Sequence, residues 1–220
     1  MDATRALATV ELLGALTYAQ LRSFALIASA VRYAPDIAAA HDIATFAAHE
    51  HAGYELLRQR VRALTDLPER ALERQRAPVD TFFDRLPIDD WWSAMSFFSI
   101  ALPLAADFAR AVAPTLEDDS RDTVVSAVVE RDGFEDYAIE RVATRLEGDP
   151  NARERARALA AEVIGNALTS FQAVVTGTDA LRVLLADLAD DGDDVARRTA
   201  ISLLDRHRRR MAEIGVDVPD

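Results

Sequence analysis

The sequence predicts an all-α protein in which several long amphipathic helices pack into a bundle. Half of its 220 residues are hydrophobic, whereas glycine and proline occur only eight times each, and β-branched residues are too sparse for a series of strands. Apolar residues recur at helical spacing through segments of about twenty residues or more. A chain of this length can bury one substantial core, so we expect a single domain over residues 1–220.

The composition also argues against several classes of protein. The chain has no cysteine, which excludes disulfides and thiolate metal sites, and its formal net charge of −12 opposes binding to nucleic acid. The first residues lack the positive start and uninterrupted apolar run of a secretory signal. The most apolar stretch, residues 91–106, is shorter than the roughly 20 residues that a membrane span needs. We therefore expect a cytoplasmic protein without a membrane segment.

Two long helices are predicted first, over about residues 2–33 and 36–64. Pro35 separates them, because a proline disfavours helix in the residue before it and suits the start of the next helix. Each apolar face contains one polar residue near its middle. This residue is Gln20 in the first helix and Glu50 in the second.

A connecting segment over about residues 65–90 leads to a third helix over about residues 90–112. Three prolines punctuate the segment, and a short helix is expected around residues 79–85. The connection is long enough to cross the end of a bundle, so the third helix need not be an antiparallel neighbour of the second. Asp107 lies within its apolar face, and Pro103, one turn earlier, predicts a kink.

The fourth helix is predicted as one continuous element from Val124 to Leu146. Arg131 and Glu135 lie in the middle of its apolar face. Because they are four positions apart, they should stack on one surface of the helix. Charged side chains are rarely buried without partners, so this pair indicates that other helices supply opposite charges.

Additional helices follow the core bundle of about residues 3–147 and extend over about residues 151–214. The last one carries a group of basic residues, namely Arg197, Arg198, Arg206, His207, Arg208, Arg209 and Arg210. This group could contact phosphates, or it could offset the preceding acidic residues and complement the helix dipole. With a sequence pI near 4.8, we favour the second interpretation and expect His207 at the surface.

Four segments resemble the helices of a known family. They are ELLGALTYAQLRSF (residues 11–24), ATFAAHEHAGYELLRQRV (44–61), ALPLAADFARAV (101–112) and VVERDGFEDYAIERV (128–142). In order and flanking residues they resemble the ferritin-like proteins related to the bacterial tRNA methylthio-isopentenyl-adenosine hydroxylase, over about residues 5–175. The resemblance implies a ferritin-like four-helix bundle and, in active members, a non-haem di-iron centre that activates dioxygen.

The ligand positions that the resemblance implies are mostly replaced. In such di-metal bundles, two helices each supply a Glu and the other two each supply a Glu-x-x-His pair. Gln20 stands where the first helix should give a Glu, and Glu50 is retained but is followed by Gly53 in place of histidine. Asp107 can substitute for the third carboxylate. On the fourth helix Arg131 replaces the acidic residue, and its histidine partner is absent as well.

The electrostatics of this replacement lead to a hypothesis. Arginine stays protonated in proteins, so Arg131 beside two metal ions would be strongly repelled. Without metals, its planar fork suits carboxylates. We therefore expect a buried network of Gln20, Glu50, Asp107, Arg131 and Glu135 in place of iron, with no catalytic residue and no cofactor.

Simpler interpretations remain open for these residues. Gln20 could be a core amide that bonds a neighbouring helix. Arg131 and Glu135 could form a boundary pair whose charged heads reach water.

Three functions are compatible with this pattern. The first is a non-catalytic ferritin-like protein, retained for interaction with an unknown protein partner or as a homodimer. The second is a non-haem iron hydroxylase or oxygenase whose altered site uses Glu50, His49 and Asp107 to bind iron. The third is a tRNA-binding relative without catalysis. We favour the first, because dioxygen activation needs a well-liganded metal and most of the ligands have been replaced.

Overall fold

A computed structural model of the chain describes residues 3–85, 88–129, 133–177, 183–184 and 192–216. The regular secondary structure within these ranges is entirely helical, which confirms the predicted all-α class. The helices are α1 (Ala3–Ala30), α2 (Ile37–Leu64), α3 (Pro68–Phe83), α4 (Trp91–Ser96), α5 (Leu102–Val112), α6 (Asp118–Val124), α7 (Phe134–Leu146), α8 (Pro150–Gly177) and α9 (Gly192–Glu213). Two π-helical turns, π1 (Phe97–Ala101) and π2 (Val125–Val129), lie between them.

The first two helices lie close to their predicted bounds. A 3₁₀ turn, Val31–Tyr33, extends α1 towards Pro35. Asp36 then caps α2, because its Oδ1 accepts a hydrogen bond from the Ala39 amide at 2.8 Å. The two helices pack against each other along much of their length.

Helix α3 is much longer than the short helix predicted near residues 79–85. Pro68 occupies its first turn, where the missing amide hydrogen costs nothing, and Pro78 lies inside it. Packing on α1 stabilises α3 despite this proline. The Tyr18 hydroxyl donates to Asp80 at 2.8 Å, and Arg22 forms ion pairs with Asp80 and Asp84.

The third bundle helix runs through α4, π1 and α5 without a break. In π1 the Leu102 amide donates to the Phe97 carbonyl, five residues back. This wider turn directly precedes Pro103, so the disturbance predicted at the proline takes the form of a π turn. Among the described helices, the one from Trp91 to Thr115 is long and apolar enough to cross a membrane. However, 78% of its most apolar window is buried, as in the core helix of a bundle.

The prediction of one continuous fourth helix was wrong. The chain passes through α6 and π2, and Gly133 then adopts a left-handed conformation (φ 70°) at the start of α7. Glycine enters this region at little cost, whereas other residues rarely do. Arg131 lies outside the described residues, and Glu135 belongs to the first turn of the new helix α7. Glu135 therefore lies after a break in the predicted helix.

Two further helices pack on this bundle. Helix α8 packs against α3, α7 and π1, and α9 packs against α5, π1 and α8. The Asp149 side chain accepts a hydrogen bond from the Ala152 amide at 3.0 Å, within the first turn of α8. Between α8 and α9 the structure describes only Val183 and Leu184.

Candidate functional site

The polar residues of α1, α2 and α5 lie between two hydrophobic clusters. Along α1, residues 8–16 belong to one cluster and residues 27–30 to the other, with Gln20 between them. Glu50 divides α2 in the same way, and Asp107 lies at the corresponding boundary in α5. All three side chains are almost fully buried. The bundle therefore contains a polar level, which we call the polar layer, between its two apolar ends.

Gln20 and Glu50 form the first part of the polar layer. The Gln20 Nε2 donates to Glu50 Oε2 at 2.9 Å and lies 3.4 Å from both the Glu50 and the Ala127 carbonyl oxygens. All three neighbours are hydrogen-bond acceptors, so the amide must present its NH₂ group to them. Gln20 thus binds a neighbouring helix as a donor, which a metal-binding carboxylate could not do.

Gly53, where the resemblance implies a histidine, lies against the backbone of π2. A Cβ atom added here would lie only 2.5 Å from the Ala127 carbonyl oxygen and 2.9 Å from Gln20 Nε2. Such distances are far below van der Waals contact, so α2 and π2 approach too closely for any side chain. An imidazole at this position would require the two helices to separate.

Asp107 is the most heavily paired residue of the polar layer. Its Oδ1 accepts from Arg110 Nη1 at 2.5 Å and lies 3.5 Å from Arg206 Nη1. Its Oδ2 accepts from Arg210 Nη2 at 2.7 Å. Arg110 comes from the same helix, whereas Arg206 and Arg210 come from α9. Both oxygens of this buried carboxylate are therefore engaged by guanidinium groups.

Arg210 joins Asp107 to Glu135. Its Nε donates to Glu135 Oε1 at 2.5 Å, and its side chain is 11% exposed compared with 41% for Glu135. Burial alone would lower the pKa of Arg210, but the hydrogen bond and charge of Asp107, together with those of Glu135, outweigh it and raise the pKa above its ordinary value. The guanidinium is therefore a permanent cation between two carboxylates.

His207 lies one turn before Arg210 and is completely buried, so its expected surface position was wrong. Its Nε2 lies 3.2 Å from the Ala160 carbonyl oxygen, which can only accept, so Nε2 carries the proton. Burial is the main reason that the pKa of His207 falls to about 4, and the nearby positive charge of Arg210 lowers it further. The imidazole is therefore neutral at physiological pH.

The structure brings the predicted site residues together in two pairs. It joins Gln20 to Glu50, and it joins Asp107 to Glu135 through Arg210. Arg131, the predicted counter-charge, lies outside the described residues, so its place in the network stays a prediction.

The pairing of Arg206 and Arg210 with Asp107 was not predicted from the sequence. A signal for Arg210 was present, because Leu203, His207, Met211 and Ile214 recur at helical spacing around it and all are buried. This spacing marks the face of α9 that turns towards the bundle. The arginine-rich composition of the helix obscured the pattern and suggested a solvent-exposed surface.

The residues of the polar layer do not fit a di-iron centre. Iron ligands must present free lone pairs, but Gln20 presents hydrogen-bond donors and Asp107 is engaged by three arginines. His49, the alternative ligand beside Glu50, has an exposed side chain. Within the described ranges, no group of three or more His, Asp and Glu side chains is arranged to hold a metal ion.

The comparisons with known proteins agree with this architecture. A family model described as a ferritin-like domain of actinomycetes matches residues 4–188, which is most of the chain. A search of curated proteins finds no match.

Proposed function

Because the chain belongs to the ferritin-like domain family of actinomycetes, we propose that it is a non-catalytic member in which an arginine–carboxylate network replaces the di-iron centre. In this proposal the positive charge that two metal ions would bring to the bundle interior comes from arginine. The finer relationship, to proteins related to the bacterial tRNA hydroxylase, belongs to the same proposal. It is supported by the order of the helices and by the positions of Gln20, Glu50 and Asp107.

The pairing of Asp107 carries this proposal. A metal ion at this carboxylate would have to displace Arg210, whose side chain is 11% exposed and also binds Glu135. The displaced guanidinium would then be a buried cation next to another cation, which is strongly unfavourable. The contact of Gly53 with π2 adds to this argument, because it leaves no space for a histidine ligand beside Glu50.

A protein of this kind would act through its surface. We propose that the chain is retained for interaction, either with a protein partner or as a homodimer formed through a helix face. Light scattering of the purified chain would show twice the 24.1 kDa of one chain for the homodimer. A monomer would exclude the homodimer.

Metal analysis tests the proposal. The full chain is produced in iron-rich medium, purified without chelator and examined for iron content and for its optical spectrum under air. We expect far less than one iron per chain and no iron chromophore. One tightly bound iron would favour the altered oxygenase site of Glu50, His49 and Asp107, and two irons would overturn the proposal.

The tRNA-binding alternative is tested separately by titrating the chain with tRNA at several salt concentrations. We expect no binding that weakens systematically with salt, because the net charge is −12 and Arg206 and Arg210 pair with Asp107. A steep salt dependence would favour the nucleic-acid alternative.

A further inference from the structure

A cavity of about 140 Å³ lies beside the polar layer, between α1, α3, α5, α8 and α9. All of its lining residues are apolar, and it is partly open to solvent. Those that matter most for its shape are Ala19, Val79, Phe82, Leu104, Phe108 and Ala167. Ligand sites in proteins are typically concave and mostly apolar, and this cavity has both properties.

Small side chains on three helices create the cavity. Ala15 and Ala19 of α1, Ala105 of α5 and Ala167 of α8 all face the same space. A leucine at any of these positions would extend into the cavity and occupy much of it. The alanines at these four positions therefore set the size of the cavity.

Helix α3 forms one wall of the cavity and is held in place by polar contacts outside it. Val79, Phe82 and Phe83 line the cavity, while Asp80 of the same helix accepts from Tyr18 and Arg22. These charges are paired with each other and none of them lines the cavity. These contacts join α3 to α1 without a ligand, and a preformed wall lowers the entropic cost of binding.

We infer that this cavity binds an uncharged apolar group of about the size of one aromatic ring. Water gains little inside the cavity, because a bound water needs two or more polar partners and the lining residues are all apolar. An apolar cavity of about 150 Å³ in another protein stays dry and binds benzene. A charged group inside the cavity is strongly disfavoured, because the apolar lining offers it no partner. This inference is independent of whether the polar layer binds a metal.

Benzene is the probe, added to the full chain with isotope-labelled methyl groups. We expect saturable NMR shifts in the methyl groups of Leu104 and Leu168, which line the cavity, and none in those of Leu57 and Val61, which belong to the other hydrophobic cluster. Shifts that grow linearly without saturation, or that are equally large in Leu57 and Val61, would overturn the inference.

A matched pair of variants on one helix locates the binding. Ala167→Leu should weaken benzene binding about tenfold or more, because the added side chain takes up the space of the ligand. Ala161→Leu, at an exposed position of α8, should bind like the unaltered chain. Should Ala167→Leu not fold, Ala19→Leu fills the same cavity from α1 and carries the same expectation. Undiminished binding by a folded cavity-filling variant would overturn the inference.

Discussion

At the residue scale, Arg210 connects acidic side chains of two other helices. It reaches Asp107 on α5 and Glu135 on α7, and its own helix α9 lies about one hundred positions further along the chain from Asp107. Forming such a pair gains little net stability, because both charges must leave water. Removing one partner is costly, since the other charge then remains buried without full compensation.

Arg210→Met should therefore lower the free energy of unfolding by about 3 kcal/mol, the lower end of the range for a broken buried pair. The lower end applies because Asp107 keeps Arg110 and Arg206, which are 41% and 40% exposed. Urea unfolding at neutral pH gives the value. Arg209→Met, at an exposed position of the same helix, is the control and should change it by at most about 0.5 kcal/mol. Equal stability of the two variants would contradict the role of Arg210.

His207 predicts the pH dependence of stability. Its pKa is about 4 in the folded protein, compared with about 6.5 in an unfolded chain. Between these values the unfolded state binds more protons, so stability rises with pH. The contribution of the neutral imidazole is complete above about pH 6.5 and is lost as the pH falls towards 4, by about 3 kcal/mol in all.

The variant His207→Gln isolates this effect. The glutamine amide can still donate to the Ala160 carbonyl, but it does not titrate. Unfolding free energies measured from pH 7.5 to 4 should fall less steeply for the variant than for the unaltered chain. If the free energy of unfolding fell equally with pH in both proteins, protonation of His207 would not destabilise the folded protein, and the prediction would be wrong.

At the element scale, the contact between α2 and π2 closes the polar layer. Gly53 allows this contact because it has no Cβ atom to meet the Ala127 carbonyl. The same carbonyl lies within reach of the Gln20 amide. The close approach of α2 and π2 therefore involves both residues. Gly53 leaves space for the Ala127 carbonyl, and Gln20 supplies a donor to it.

Gly53→Ala tests this approach. The added Cβ would lie 2.5 Å from a backbone oxygen, so the helices must separate, and we expect a loss of about 1–3 kcal/mol in the free energy of unfolding. Gly165→Ala on α8 is the control, because nothing lies within 4 Å of its Cβ position. There the substitution should stabilise by about 0.5–1 kcal/mol, through better helix propensity. Changes of the same sign in the free energy of unfolding of both variants would contradict the close contact between α2 and π2.

The helices themselves could largely be predicted from local signals. Pro35 and Asp36 separate α1 from α2, and the sequence contains both. The errors arose where tertiary packing overrode the local pattern. Contacts with α1 stabilise α3 across Pro78, and the apolar spacing from Val124 to Leu146 continues in phase across a break at Gly133.

At the scale of the whole molecule, a polar layer separates two hydrophobic clusters, and α9 completes the layer from outside the four bundle helices. Intruding polar residues at Gln20, Glu50 and Asp107 could be identified from the sequence, because each interrupts an apolar face. Their partners could not, since pairing across about one hundred residues depends on how helices are placed. The sequence therefore indicates Arg131, which shares a predicted apolar face with Glu135, as the positive partner, and it does not indicate Arg210.

Thermal unfolding with and without metal tests most directly the claim that arginine has replaced iron. Any ligand that binds only the folded state raises the unfolding midpoint, and ferrous iron at about 100 times its dissociation constant would add about 2.7 kcal/mol. For a chain of this size that is a rise of roughly 5–10 °C. We predict the same midpoint, within about 1 °C, for the full chain in EDTA and after anaerobic addition of ferrous iron. A rise of several degrees that EDTA reverses would contradict the account.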